Sequence, residues 1–453
     1  MAMVEAATNL ANRERAEELL EARDQGEDSE HVVLRQADID AKVYGYGTLP
    51  RLFQFGDALF AHEFQTEDGY GDSLLPQLQR VHRGVRGGLD TFSCAGCHSV
   101  GGADGAGALT QNAFLHGDGD RIDTTNVRNA PHALGLGFVQ LLGVEMTTEL
   151  AALRERALSD AVKAGQPVTA PLWSKGVEFG KLVAFPDGHL DTQDVEGIDA
   201  DLVVRPFGWK GEIARLRRFI EEAARVHFGV QAHTLALQYE KHPDVDHLGP
   251  GPNWWDPDND GRPYELEEGI LTAGGVYLSM LEAPVVIPPF SPELKARWSS
   301  GEALFEKVGC GSCHRRTLTL ESTVWTELPD TTDGEGITLD LAVDGDSPRS
   351  GPSVELFSDL KRHDMGAELA DPHDSPSGLP RAVFLTRPLW GLAETPPYLH
   401  DGRASTIPAA ILAHGGEAKW SREDFAKLTP GEQADLHIFL LSLTRYPKPR
   451  VAR

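Results

Sequence analysis

Positive charge, cysteine and long apolar runs are all scarce in this chain of 453 residues. Lys and Arg number 42 against 69 Asp and Glu, which leaves a formal charge of −27. A surface this acidic repels phosphate backbones, so nucleic acid is not an expected partner. No run of 18 apolar residues occurs, and no membrane-spanning helix is expected. Apolar residues make up 40% and aromatic residues 8%, which excludes a wholly disordered chain. The length suggests about three domains, or two with insertions. Cysteine is limited to four positions, and their placement carries the reading.

The four are Cys94, Cys97, Cys310 and Cys313. They form two pairs, Cys94-Ala-Gly-Cys97-His98 and Cys310-Gly-Ser-Cys313-His314, and none is left over. Cys-x-x-Cys-His is the attachment pattern of c-type haem: the thiols add to the haem vinyl groups as thioethers, and the histidine becomes the axial ligand. A thioredoxin-like redox pair would occur once and would not need the histidine. A four-cysteine zinc site would have to join pairs more than 200 positions apart. Two covalent haems c are therefore expected. Bacterial haem c attachment takes place outside the cytoplasmic membrane, so the expected location is periplasmic or otherwise exported. Residues 1–40 are polar and acidic with no apolar signal core, so an export signal is expected to have been removed or to lie outside these residues.

An imperfect repeat supports two related haem units. Gly56-Asp-Ala-Leu-Phe60 matches Gly301-Glu-Ala-Leu-Phe305, each ahead of a Cys-x-x-Cys-His. A second echo follows each motif, Arg128-Asn-Ala-Pro-His-Ala-Leu-Gly-Leu136 and Arg387-Pro-Leu-Trp-Gly-Leu392. Residues 299–309 read as a short helix entering the second motif. Residues 430–444 read as a closing helix, with Leu436, Phe439, Leu440 and Leu443 on one face. Residues 211–227 are helical by period, 241–263 are loop, and 284–293 look like an extended linker. Strand signals are weak. The expected fold is mainly α: a polar extension over 1–45, a cytochrome c-like haem domain over 46–150, an α- and loop-rich intermediate region over 151–290, and a second cytochrome c-like haem domain over 291–453.

The open question at each haem is what faces the iron from the other side. Protein ligation makes an electron-transfer centre, whereas an open face can bind peroxide and then needs an acid/base group. At the second haem the candidates are His363, Met365, His400 and His414. His414, at the end of Ala410-Ile-Leu-Ala-His414-Gly-Gly, is favoured over Met365. At the first haem they are His132, Gln140, Glu145 and Met146, with Glu145 the one carboxylate. Trp209 could relay electrons between the haems or simply pack in the core. Asp256-Pro-Asp258-Asn-Asp260-Gly, followed by Glu267, fits a Ca²⁺-binding loop, although Pro257 and Pro263 depart from a true EF-hand.

The run 387–417 (RPLWGLAETPPYLHDGRASTIPAAILAHGGE) resembles the C-terminal signature of the bacterial di-haem oxidoreductase family. Ser358-Asp-Leu360, His363-Asp-Met365-Gly366 and Phe207-Gly-Trp209-Lys210 look like motifs of it too, and the resemblance spans roughly 50–445. Members are described as peroxidases or thiol oxidoreductases, related to dihaem cytochrome c peroxidases and to the dihaem enzyme of methylamine utilisation. The resemblance implies a peroxide site at the N-terminal haem and an electron-transfer haem at the C-terminal one. It also implies that the distal ligand of the latter follows Tyr398-Leu-His400-Asp-Gly402, near His414, where the relatives carry methionine or tyrosine. A bis-histidine haem would have a lower potential. Where the family has glutamate in a Gly-Leu-Gly-x-x-Glu segment, this chain has Gln140, which cannot transfer a proton as a carboxylic acid does.

The expected activity is reduction of hydrogen peroxide, or another small oxidant, with electrons from a basic small cytochrome c steered by the acidic surface. The alternatives are oxidation of a thiol or protein side chain, and a non-catalytic electron-transfer cytochrome.

Overall fold

The structure, a computed structural model, describes residues 34–42, 47–64, 80–82, 85–87, 89–108, 112–115, 121–234, 264–330, 336–342, 353–375 and 377–445. About 40% of the described residues are helical and 16% are strand. Helix α1, Leu49–Ala61, starts at Thr48 with Pro50 in its first turn and buries Leu52, Gly56 and Leu59. The short helix α2, Cys94–Cys97, carries the first cysteine pair. Helix α3, Leu136–Ala164, starts after Gly135 and stops at Gly165, both at positive φ. It is long and apolar enough to cross a membrane, but Leu136, Val139, Leu142, Met146 and Leu150 pack in the protein core. Helix α4, Leu216–Ala223, runs into a π turn over Ala224–Phe228. Helix α5, Glu268–Met280, is buried on every side from Glu268 to Ser279. Helix α6 is Pro292–Lys307, α7 is Ile407–Ala413 and α8 is Pro430–Leu440.

The repeat noticed in the sequence marks two helix crossings. α1 packs on α5, and α6 packs on α8. A Cβ on Gly56 would collide with the Ala273 carbonyl, and one on Gly301 would collide with that of Asp435. Glycine is required in both copies because the two backbones touch there. The partner of α1 therefore comes from 268–280, beyond the 46–150 boundary expected for the first unit. Two cores result. The larger joins α1, α3 and α5 to residues as late as Leu356, Leu360 and Trp390. The smaller gathers Trp298, Phe305, Phe357, Leu436 and Phe439 around the second cysteine pair.

The intermediate region also departs from expectation. It contains an antiparallel sheet of Val168–Ser174, Val177–Ala184 and Leu190–Asp191. Val177, Phe179, Leu182 and Ala184 are buried, and Lys175 and Gly176, both at positive φ, make the two-residue hairpin turn. The Val-Glu-Phe alternation was the available signal. The helix expected over 211–227 begins only at Leu216, because Phe207 bridges back to Ile213 and closes a loop around Trp209. The linker at 284–293 is extended at its start, where Val285–Val286 pairs with Leu443–Thr444, and becomes helical at Pro292. The closing helix correspondingly ends at Leu440, four residues early.

Candidate functional site: two cysteine-histidine turns and an apolar cavity

The two Cys-x-x-Cys-His segments reach the same local geometry by different routes. At the first, Ser93 accepts a hydrogen bond from Gly96 N at 3.1 Å and starts the single turn of α2. At the second, Gly309 at φ 83° starts a 3₁₀ turn over Cys310–Ser312. No disulfide joins the cysteines. Burial pushes the Cys94 and Cys310 thiols up to about 12. Among the described residues the four sulfurs form no common metal cluster.

The histidines match each other atom for atom. Nδ1 of His98 lies 3.1 Å from the Gly105 carbonyl, and Nδ1 of His314 lies 3.1 Å from that of Phe357. A carbonyl only accepts, so Nδ1 carries the proton and the lone pair is on Nε2. Burial lowers both rings to about 4, which keeps them neutral. A neutral imidazole held through Nδ1–H with a basic Nε2 is the form an axial iron ligand takes.

His314 faces a cavity of about 270 Å³. Cys310, Cys313, Phe305, Leu389 and Leu440 line it, together with Ala106, Pro131, His132, Leu136 and Val139. His414 also lines it. It caps α7, which Thr406 starts by accepting from Ala409 N, and its Nδ1 lies 2.7 Å from the Ala410 carbonyl freed at the helix end. Burial lowers this ring as well. Met365 lies on the same wall.

Other distal candidates are spoken for. His363 touches Asp359 at 2.9 Å through Nε2 and Glu417 at 2.7 Å through Nδ1. Burial opposes its charge, but contacts with Asp359 and Cys313 outweigh it and raise it to about 11. His132 has Nε2 on the Trp390 carbonyl at 2.8 Å and Nδ1 on Leu134 N at 3.2 Å. His400 stacks on Phe384 with ring centroids 4.2 Å apart.

Gln140 and Glu145, candidates at the first haem, do not line the cavity. Gln140 is buried and its Oε1 accepts from Leu216 N at 2.7 Å, which caps α4 in place of Arg215. Glu145 is paired with Lys175 at 2.5 Å and accepts from Glu321 N and Ser322 N at 3.0 Å. Both side chains are held by structural contacts. Met146 is in the core.

Trp209 does line the cavity. Its Nε1 donates to the Asn129 carbonyl at 2.8 Å, and the Arg387 guanidinium sits 5.6 Å from its ring centroid. Asp256, Asp258 and Asp260 lie outside the described residues, and Glu267 immediately precedes α5. Sequence reasoning missed Arg387 as a site residue, although it opens the second echo, and missed the Asp359–His363–Glu417 chain.

No curated protein matches the chain. Among solved structures it is similar to hydrazine synthase of Kuenenia stuttgartiensis, determined under 20 bar of xenon. That likeness has 16% identity over 86% of this chain and 87% of the other, with a TM-score of 0.37. It is also similar to a MauG-like protein associated with microbial copper homeostasis, at 15% identity over 57% of this chain and 76% of the other, with a TM-score of 0.30. Residues 285–443, which hold the second Cys-x-x-Cys-His turn, His363, Met365 and His414, match the family described as di-haem oxidoreductase, putative peroxidase.

Proposed function

We propose that this chain is an exported dihaem c oxidoreductase that reduces hydrogen peroxide, drawing electrons from a basic small cytochrome c. The observation that carries the reading is the shared histidine geometry, two neutral rings each anchored through Nδ1 at 3.1 Å to a backbone carbonyl beside a cysteine pair. Cys94, Cys97 and His98 would hold one haem, and Cys310, Cys313 and His314 the other. This residue set fits the group: paired protonated thiols for thioether formation, a basic imidazole nitrogen, and an apolar cavity. Haem supplies one-electron storage at iron and, where an axial position is open, a site for peroxide.

The chain's own side chains divide the work. His414 would close the second haem as an electron-transfer centre, with Met365 the alternative ligand. Trp209 lines the cavity and would relay electrons between the haems. The apolar walls exclude water around His314, and burial keeps both imidazoles neutral. The overall reaction is H₂O₂ + 2e⁻ + 2H⁺ → 2H₂O, and the acidic surface would steer a basic donor. A Ca²⁺ ion at Asp256, Asp258, Asp260 and Glu267 is part of this proposal on sequence pattern alone.

One observation favours a second reading, a dihaem electron carrier. Gln140 and Glu145 are both committed to backbone and lysine contacts, and neither lines the cavity. The test is a pyridine haemochrome assay and an electronic spectrum of the exported protein, then addition of peroxide to enzyme supplied with reduced small cytochrome c. Two haems, a high-spin band that peroxide alters, and two cytochromes oxidised per peroxide support the enzyme. Two low-spin haems indifferent to peroxide establish the carrier. A colourless protein refutes both.

A further inference from the structure

The charged side chains on the cavity wall have partners, with one exception. His363 and Glu417 hold each other, and Arg422 lies 3.8 Å from Glu368. Arg387 has no carboxylate and no hydrogen-bond acceptor among the described residues. Its one recorded contact is the Trp209 ring. Burial lowers its affinity for the proton only to about 10, so it remains a cation. A cation facing an apolar cavity calls for a counter-charge that the protein does not supply. A second orphan lies on the same wall: Asn129 Oδ1 is buried without a partner, while its Nδ2 donates to the Pro397 carbonyl at 3.1 Å.

We propose that Arg387 is a carboxylate-binding residue of this cavity. The guanidinium fork matches a planar carboxylate with two parallel N–H···O bonds. One unpaired cation balances one negative charge, which favours a carboxylate over a phosphate dianion. Leu136, Val139 and Leu389 suit an apolar body behind that carboxylate. A water carried in with the ligand would satisfy Asn129 Oδ1. The carboxylate has two possible sources, a propionate of an attached haem or a small free acid. The first source rests on the dihaem reading above, and the second does not.

The test uses holoprotein, wild type beside R387Q and R387K, with haem content read first by pyridine haemochrome. Each is titrated with sodium benzoate at low salt by calorimetry, and the haem midpoint potentials are measured by spectroelectrochemistry. If the carboxylate belongs to haem, benzoate does not bind. R387Q then lowers one midpoint potential, because ferric iron loses a nearby repelling cation, and R387K largely restores it. If the site takes a free acid, benzoate binds wild type at least tenfold more tightly than R387Q, and the potentials stay in place. Haem-free protein fails the dihaem reading but leaves the benzoate titration decisive. Unchanged potentials together with no Arg387-dependent benzoate binding overturn the proposal and leave Arg387 as a packing partner of Trp209. Should R387Q not fold, R387M replaces it, since it keeps an apolar stem but neither charge nor donor, and wild-type values in both measurements overturn the proposal equally.

Discussion

Arg128 and Asp371, 243 positions apart, meet through two parallel hydrogen bonds of 2.7 Å. Both are nearly sealed from solvent, with side-chain exposures of 8% and 1%. Lys210 joins them at 3.3 Å from Asp371 and donates to the carbonyls of Pro380, Arg381 and Val383. This knot ties the segment after the first cysteine pair, the Trp209 loop and the C-terminal region into one wall of the cavity.

Replacing Asp371 by Asn leaves Arg128 and Lys210 buried without an anion. Breaking such a pair from one side costs about 3–5 kcal/mol. Urea unfolding of D371N should show a loss of that order at neutral pH. A change below about 0.5 kcal/mol, the scale of surface substitutions, would mean that water reaches the pair.

Each cysteine pair is expected to anchor one haem independently. The double variants C94S/C97S and C310S/C313S should each lower the pyridine haemochrome stoichiometry from two to one. If either variant still carries two, that pair is not an attachment site.

His414→Ala should remove the distal ligand of the second haem and turn a low-spin spectrum high-spin. His414→Met should keep it low-spin and raise its potential, since thioether ligation favours ferrous iron relative to a second imidazole. A spectrum that H414A leaves unaltered, combined with a response in the corresponding Met365 variant, would transfer the role to Met365.

His132 gives the protein a defined acid sensitivity. Burial lowers its pKa from 6.5 to about 4, and both nitrogens are already engaged. The unfolded chain binds a proton below pH 6.5 that the folded chain refuses until pH 4. Stability is therefore full above 6.5 and falls as pH drops from 6.5 towards 4, by up to about 3 kcal/mol from this group. H132Q should flatten that part of the stability profile measured by urea unfolding. An unchanged slope would show that the ring titrates normally.

Gln140→Leu should destabilise the protein by about 1–3 kcal/mol, since it strips the buried Leu216 N–H of its acceptor. Peroxide turnover per haem should not change. A selective loss of turnover at full stability would return Gln140 to the chemistry.

The parts of this protein that were legible before folding share one property, short range. Cys94, Cys97 and His98 are held by a single turn, so their spacing alone announces their use, and the same holds for Cys310, Cys313 and His314. The Gly56 and Gly301 repeats announced two equivalent crossings, although not that the partner of α1 would come from 268–280. The sheet over 168–191 was legible in principle, since Val177, Phe179 and Leu182 show the buried positions of a strand. It was overlooked beside the stronger helical periods around it. The Trp209 loop was not legible, because it depends on Phe207 meeting Ile213.

Side-chain roles at the site followed a harsher rule. Gln140 and Glu145 sit on the helix that borders the cavity, and sequence position alone could not say which way they point. Helical geometry turned Leu136 and Val139 to the cavity and gave Gln140 to Leu216 N. His363, His400 and His414 are equivalent as letters. Only the arrival of Asp359 and Glu417 made His363 a charged strut, and only the freed carbonyl of Ala410 left Nε2 of His414 available. The sequence by itself determined the two Cys-x-x-Cys-His turns, because a single turn needs only neighbours in the chain. The tertiary structure alone decided which histidine nitrogens are engaged, where Trp209 stands and why Arg387 lacks a counter-charge. Those outcomes depend on partners tens to hundreds of positions away, brought together by burial in a medium where an unpaired charge is costly.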